Sequence, residues 1–222
     1  MKKVILFALF ALSGLTRVQG QNNSLGHSDP DAKKILDAVS RKVSSYKAIQ
    51  ATFSLRIEDA QGAVQGNKKG SMQAKGNKYK ISITGQEIFC DGTTIWTYDK
   101  SSNEVTITKF DPATNNVTPR DLLTNFYDKD FLYKLNGEQK MGTKTVQEIE
   151  MTPMDKTKNF HKIYVYIDKS QSLLYSLKML DNNGNRYIYT INTLNGNAAL
   201  SDQAFVFDKT KYPGVEEVDL RE

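Results

Sequence analysis

From Ile49 the chain alternates. Ile49, Ala51, Phe53, Leu55 and Ile57 fall on one side, and Gln50, Thr52, Ser54, Arg56 and Glu58 on the other. Strict alternation over a run this long predicts a β-strand with one dry and one wet face. The stretch before it has a different period. Ile35, Leu36, Val39 and Val43 recur at spacings of three and four, and Lys33, Lys34, Asp37, Arg41 and Lys42 lie largely off that stripe. Asp29-Pro30 supplies an N-cap followed by proline at the first helical position, so a helix is expected from there to about Ser44-Ser45.

Strand patterning continues downstream. Val64 to Lys75 is a weaker strand, interrupted by Gly66 and Gly70, and Gly76-Asn77 turns the chain. Tyr79, Ile81 and Ile83 alternate. Ile88 to Cys90 and Ile95 to Tyr98 flank Asp91-Gly92, a hairpin turn, and Val105 to Phe110 follows. Thr118-Pro119 opens a second short helix with Leu122, Leu123, Phe126 and Tyr127 as its stripe. The β pattern then returns at Phe131 to Leu135, Val146 to Met151, Phe160 to Ile167, Leu173 to Leu180, Tyr187 to Leu194 and Ala204 to Phe207. The expectation is a mainly β chain, a long antiparallel meander broken by a helix. A meander of this length curls or closes on itself, with its dry face inward. That interior is either plugged by side chains or a hydrophobic cavity lidded by helices, and the pattern fits both.

The first residues read differently. Lys2 and Lys3 precede the apolar run Val4 to Leu12, and the small-residue end Val18-Gln19-Gly20 gives way to polar Gln21-Asn22-Asn23-Ser24. This is the layout of a cleaved secretory signal peptide, residues 1–20, and the run falls short of the roughly 20 apolar residues that span a bilayer. Residues 21–222 are then expected to form one domain in a compartment without ATP. The single cysteine, Cys90, rules out an internal disulfide. No cysteine stands near residue 20 to carry a lipid anchor.

Charge changes with the leader. Losing Lys2, Lys3 and Arg17 lowers 30 basic residues to 27 against 25 acidic, a net +2. That is no footprint for nucleic acid. Nor does the sequence offer a catalytic constellation. Its two histidines are His27 and His161. His161 reads as a strand surface residue, Cys90 as a small strand residue, and no spacing of His, Cys or carboxylates suggests a metal or cofactor site. The strand around Tyr164 and Tyr166 is apolar on both faces, as a buried strand or a cavity wall would be.

The segment Glu87-Ile88-Phe89-Cys90-Asp91-Gly92-Thr93-Thr94-Ile95-Trp96-Thr97-Tyr98-Asp99 resembles the outer-membrane lipoprotein carrier family, LolA. The likeness extends, in order, through Val43 to Phe53, Gly70 to Tyr79, Thr118-Pro119 with Leu122-Leu123, Met151-Thr152-Pro153, Phe205-Val206-Phe207 and Pro213 to Val218. The resemblance implies an incomplete antiparallel β-barrel of about eleven strands under a helical lid. It implies no enzyme and no cofactor, but a periplasmic chaperone that buries acyl chains and ferries lipoproteins from the inner to the outer membrane. Its implied partners are acylated lipoproteins, an inner-membrane ABC exporter and an outer-membrane acceptor, and it is expected to act as a monomer. Phe53, Leu55, Ile57, Tyr79, Ile81, Ile83 and Trp96 are the cavity residues it suggests. The lid would use Ile35, Leu36, Val39, Leu122, Leu123 and Phe126. Lys75 stands where the family has an arginine that latches the lid, with Gly76 in place of the family's proline. The alternative from the same resemblance is a module that senses lipid or lipoprotein, or carries other lipids.

Overall fold

A computed structural model describes residues 28–111 and 127–221. The expected leader, His27, and the lid residues Leu122, Leu123 and Phe126 lie outside them.

Helix α1 spans Pro30–Ser44, as the cap and stripe predict. Asp29 does two jobs at its start. One carboxylate oxygen accepts from the Asp31 N–H at 2.8 Å, capping the helix, and the other accepts from the Leu135 N–H at 3.0 Å. The Asp29 N–H also donates to the Tyr133 carbonyl at 2.9 Å. One residue therefore satisfies a helix terminus and the free edge of a strand, which fixes α1 against that edge.

The strands are β1 (Ile49–Glu58), β2 (Val64–Lys75), β3 (Lys78–Ile83), β4 (Gln86–Cys90), β5 (Thr94–Asp99), β6 (Glu104–Lys109), β7 (Phe131–Met141), β8 (Lys144–Pro153), β9 (Phe160–Asp168), β10 (Leu173–Asp181), β11 (Arg186–Gly196) and β12 (Glu216–Asp219). A one-turn helix α2, Tyr127–Asp130, leads into β7. Among the described residues, these twelve strands join one sheet in the order β12-β6-β5-β4-β3-β2-β1-β11-β10-β9-β8-β7. It is two meanders, β1 to β6 and β7 to β11, zipped together by the antiparallel β1–β11 pair. The sheet stays open, with β12 and β7 at its two ends, so the incomplete barrel of the sequence reading is an open curl of one strand more.

Two details depart from expectation. The segment from Ala204 to Phe207 is not a strand: Asp202–Phe205 is a 3-10 turn capped by the Ser201 side chain, with Phe205 fully buried. The chain end adds β12, which runs parallel to β6 and so breaks the wholly antiparallel scheme.

The sheet has two covered faces. Its inner face meets α1, whose Ala32, Leu36, Val39 and Val43 pack with Ile49, Tyr133, Ile149, Met151, Ile163 and Val165. Its outer face, over β3 to β6, meets the C-terminal segment, where Phe207, Tyr212 and Val215 pack on Trp96, Tyr98 and Val105.

Candidate functional site

Strand register assembles the inner face in rows. Paired residues of an antiparallel ladder project to the same side. One row runs Ile49, Ala74, Tyr79, Cys90, Ile95 across β1 to β5, and the next runs Ala51, Met72, Ile81, Ile88, Thr97. A third is Phe53, Gly70, Ile83, Gln86. In the other direction Leu55 leads through Tyr189, Leu177, Val165 and Ile149 to Leu135, and Ile57 through Tyr187, Met179, Ile163 and Met151 to Tyr133. The result is an almost unbroken apolar wall from β5 to β7.

Burial on this wall is graded. Ala74, Tyr79 and Cys90 are buried beneath Phe110, which folds in from the end of β6. On the far side α1 covers β7 to β10. Between these two caps Phe53, Met72, Ile81, Ile83, Ile88, Leu177, Met179 and Tyr189 are only half-buried. Large apolar side chains gathered on one face and left half-covered form a surface suited to an apolar ligand.

Two polar groups beneath Phe110, Tyr79 and Cys90, stay uncharged. Burial, with Cys90 alongside, raises the Tyr79 phenol to about 12. Burial likewise raises the Cys90 thiol. Both remain neutral at pH 7, so the site is lined without formal charge here.

Register brings Phe53, Leu55, Ile57, Tyr79, Ile81 and Ile83 to this one face. Trp96 is not among them: it pairs with Phe89 and Ile107 on the outer face and packs beside Tyr98 and Val105. Ile35, Leu36 and Val39 lie on α1 over the inner face. Lys75 reaches the C-terminal segment, where its ammonium meets an Asp202 carboxylate oxygen at 2.8 Å, while Lys78 takes the other oxygen at 2.7 Å. These two hydrogen-bonded cations pull the Asp202 carboxyl down to about 2. Tyr164 and Tyr166 project outward, opposite Val165, with the Lys178 ammonium 4.5 Å from the Tyr164 ring centroid.

The wall also contains residues that sequence reasoning passed over: Met72, Ile88, Phe110, Leu177 and Met179. Pairing the weak β2 pattern with β1 finds Met72, because the row of Ala51 demands an inward partner. No local signal points to Phe110. Among the described residues no helix is long and apolar enough to cross a membrane.

A family model described as outer membrane lipoprotein carrier protein LolA matches residues 44–208. An outer-membrane lipoprotein carrier protein of Cupriavidus taiwanensis is 29% identical over 184 residues, 79% of this chain and 84% of that one. Another, from Histophilus somni, is 25% identical over 225 residues, spanning 100% of this chain and 99% of its own. A crystal structure of an uncharacterized conserved protein from Thermus thermophilus shares the fold, with a TM-score of 0.58 at 13% identity, covering 85% of this chain and 99% of that chain.

Proposed function

The chain belongs to the outer membrane lipoprotein carrier family, LolA, and from that premise we propose that its inner sheet face takes up the acyl chains of lipoproteins. The observation that carries this reading is the band of half-buried apolar residues, centred on Met72, Ile81 and Ile88, between the Phe110 cap and α1. Phe53, Leu55, Ile57 and Ile83 extend it along neighbouring rows, and Tyr79 forms its floor.

The energetics explain why such a face is needed. Exposing an acyl chain of about 16 carbons to water costs roughly 12 kcal/mol at about 0.8 kcal/mol per methylene. A lipoprotein with two or three such chains needs an apolar surface to cross an aqueous gap. We place the mature protein in the periplasm, delivered by the leader at residues 1–20, with residues 21–222 as one lipid-binding domain. It receives cargo from an inner-membrane ABC exporter and yields it to an outer-membrane acceptor. Without ATP in that space, transfer runs down a gradient of affinity: the carrier holds its cargo less tightly than the acceptor does. The lid roles of Ile35, Leu36, Val39, Leu122, Leu123 and Phe126 belong to the same proposal. Binding and release need no covalent step, so the mechanism uses neither a catalytic residue nor a cofactor.

The test is release of a radiolabelled lipoprotein from spheroplasts. Added mature protein should carry the label into the soluble fraction as a one-to-one complex. Retention of all label in the membrane would overturn the proposal. Free lipids, without acylated peptide, on protein purified from its native periplasm would favour transport of other lipids.

A further inference from the structure

A second concavity lies where the inner face ends, around the β3–β4 turn. Its volume is about 600 Å³. Ile83 and Gln86, from the third inner row, line one side of it. Ser71, Ser82, Glu87 and Tyr98, a single register row of the outer face, line the other. Residues of both faces line it, so the groove lies at the strand ends where the outer surface borders the inner wall.

Its chemistry is unlike that of the wall. Burial alone would raise the Glu87 carboxyl, but hydrogen bonds from the Tyr212 and Ser82 hydroxyls and the nearby Lys80 ammonium hold it below the ordinary range. Lys80 sits 3.3 Å from Glu87 and offsets its charge. Two more cations stand at the rim, Lys69 on β2 and Lys100 in the β5–β6 turn, and both line the groove. Among the described residues neither makes an ion pair. The Lys100 N–H donates to the Gly85 carbonyl at 3.0 Å, which ties its turn to the β3–β4 turn and holds the Lys100 backbone at the rim. The groove is thus polar and net positive, and it borders the apolar face at Ile83.

We propose that this groove receives the extended polypeptide that follows the acylated cysteine of the cargo, and that it favours an acidic sequence there. The inference rests on the acyl-carrier reading above and adds the part of the cargo that face does not contact. Acyl chains and the chain start are joined at one cysteine, so a polypeptide leaving the wall at Ile83 passes over the rim between Lys69 and Lys100. Ser71, Ser82 and Gln86 can hydrogen-bond its backbone, and the two ammonium groups attract its carboxylates.

Binding of three fluorescent probes tests the proposal: a diacylglyceryl-cysteine amide without a tail, and the same lipid bearing either a short Ser/Gly tail or a short Asp/Glu tail. The wild type should hold the acidic probe about tenfold more tightly than the other two, a difference of ~1.4 kcal/mol. Raising salt should shrink that gain. The Lys69→Glu/Lys100→Glu variant, altered only at exposed positions, should lose the gain and keep its affinity for the tailless probe. Equal affinity of the wild type for all three probes would overturn the groove proposal and leave the carrier reading standing. A variant that retains the gain would do the same. Failure of the tailless lipid to bind would overturn the carrier reading, and this inference with it.

Discussion

Phe53 and Gly70 face each other across the β1–β2 ladder, and the phenyl ring fills the space a side chain at Gly70 would need. A Cβ at Gly70 would lie 2.3 Å from Cζ of Phe53 and under 3.0 Å from two further ring carbons. The glycine is thus the seat of an aromatic ring at the centre of the inner face. Gly70→Ala forces the ring outward into the half-open band, with a cost of about 1–3 kcal/mol from overpacking. The melting temperature should fall, and acyl-peptide affinity with it. Adding Phe53→Ala should recover much of the loss caused by Gly70→Ala, giving a clearly non-additive double-mutant cycle. Additive losses would show that the two residues are not coupled.

Ile81 offers the most direct probe of the wall. It sits mid-row between Met72 and Ile88, half-buried, so a charge there meets cargo before it meets a packed core. Ile81→Glu should weaken binding of a diacylated peptide at least tenfold, since a carboxylate against acyl methylenes has no partner. Circular dichroism should show an intact sheet. Unchanged affinity in a folded variant would remove Ile81 from the site.

Much of this was legible in the sequence, for identifiable reasons. β1 is dry on one side only, so alternation assigned Phe53, Leu55 and Ile57 to a single face, which register then placed inward. Trp96 escaped the same logic. The β4–β5 hairpin is covered on its inner face by Phe110 and on its outer face by Phe207 and Tyr212, so both faces carry apolar residues and period two loses its meaning. Cys90 and Phe89 are adjacent, both are buried, and they point opposite ways. The partner of Lys75 was equally hidden. Asp202 lies 127 residues away, and no local pattern encodes an ion pair closed by the path of the C-terminal segment. Phe205, read as part of a strand, is apolar because a 3-10 turn buries it.

Lys75 and Lys78 grip Asp202 from two sides, which holds the 3-10 turn at Asp202–Phe205 onto the β2–β3 hairpin. The groups are solvent-exposed, so Asp202→Asn should leave the stability of the whole fold nearly unchanged. The effect should instead be local. Amide hydrogen exchange should quicken at residues 202–206 and stay unchanged in β7 to β9. Uniform change across the sheet, or none at the turn, would count against a clamp.

Acid should expose a different carboxylate. Asp168 is 3% exposed at the end of β9, where Lys144 pairs with it, the Ser170 hydroxyl donates at 2.6 Å, and the N–H groups of Ser170 and Gln171 donate at 2.9 and 3.2 Å. Burial alone would raise its pKa, but the Lys144 and Ser170 hydrogen bonds outweigh it and bring the carboxyl to about 2. An unfolded aspartate titrates near about 3.9. A folded pKa below the unfolded one stabilises the native state above about pH 4, and that contribution drains away as pH falls from about 5 towards 2. Asp168→Asn should therefore lower the melting temperature clearly at pH 7 and by much less at pH 3, where the wild type has already lost part of the contribution. A deficit of the same size at both pH values would mean that the variant suffers from lost packing or geometry, with the ionised carboxylate contributing nothing of its own.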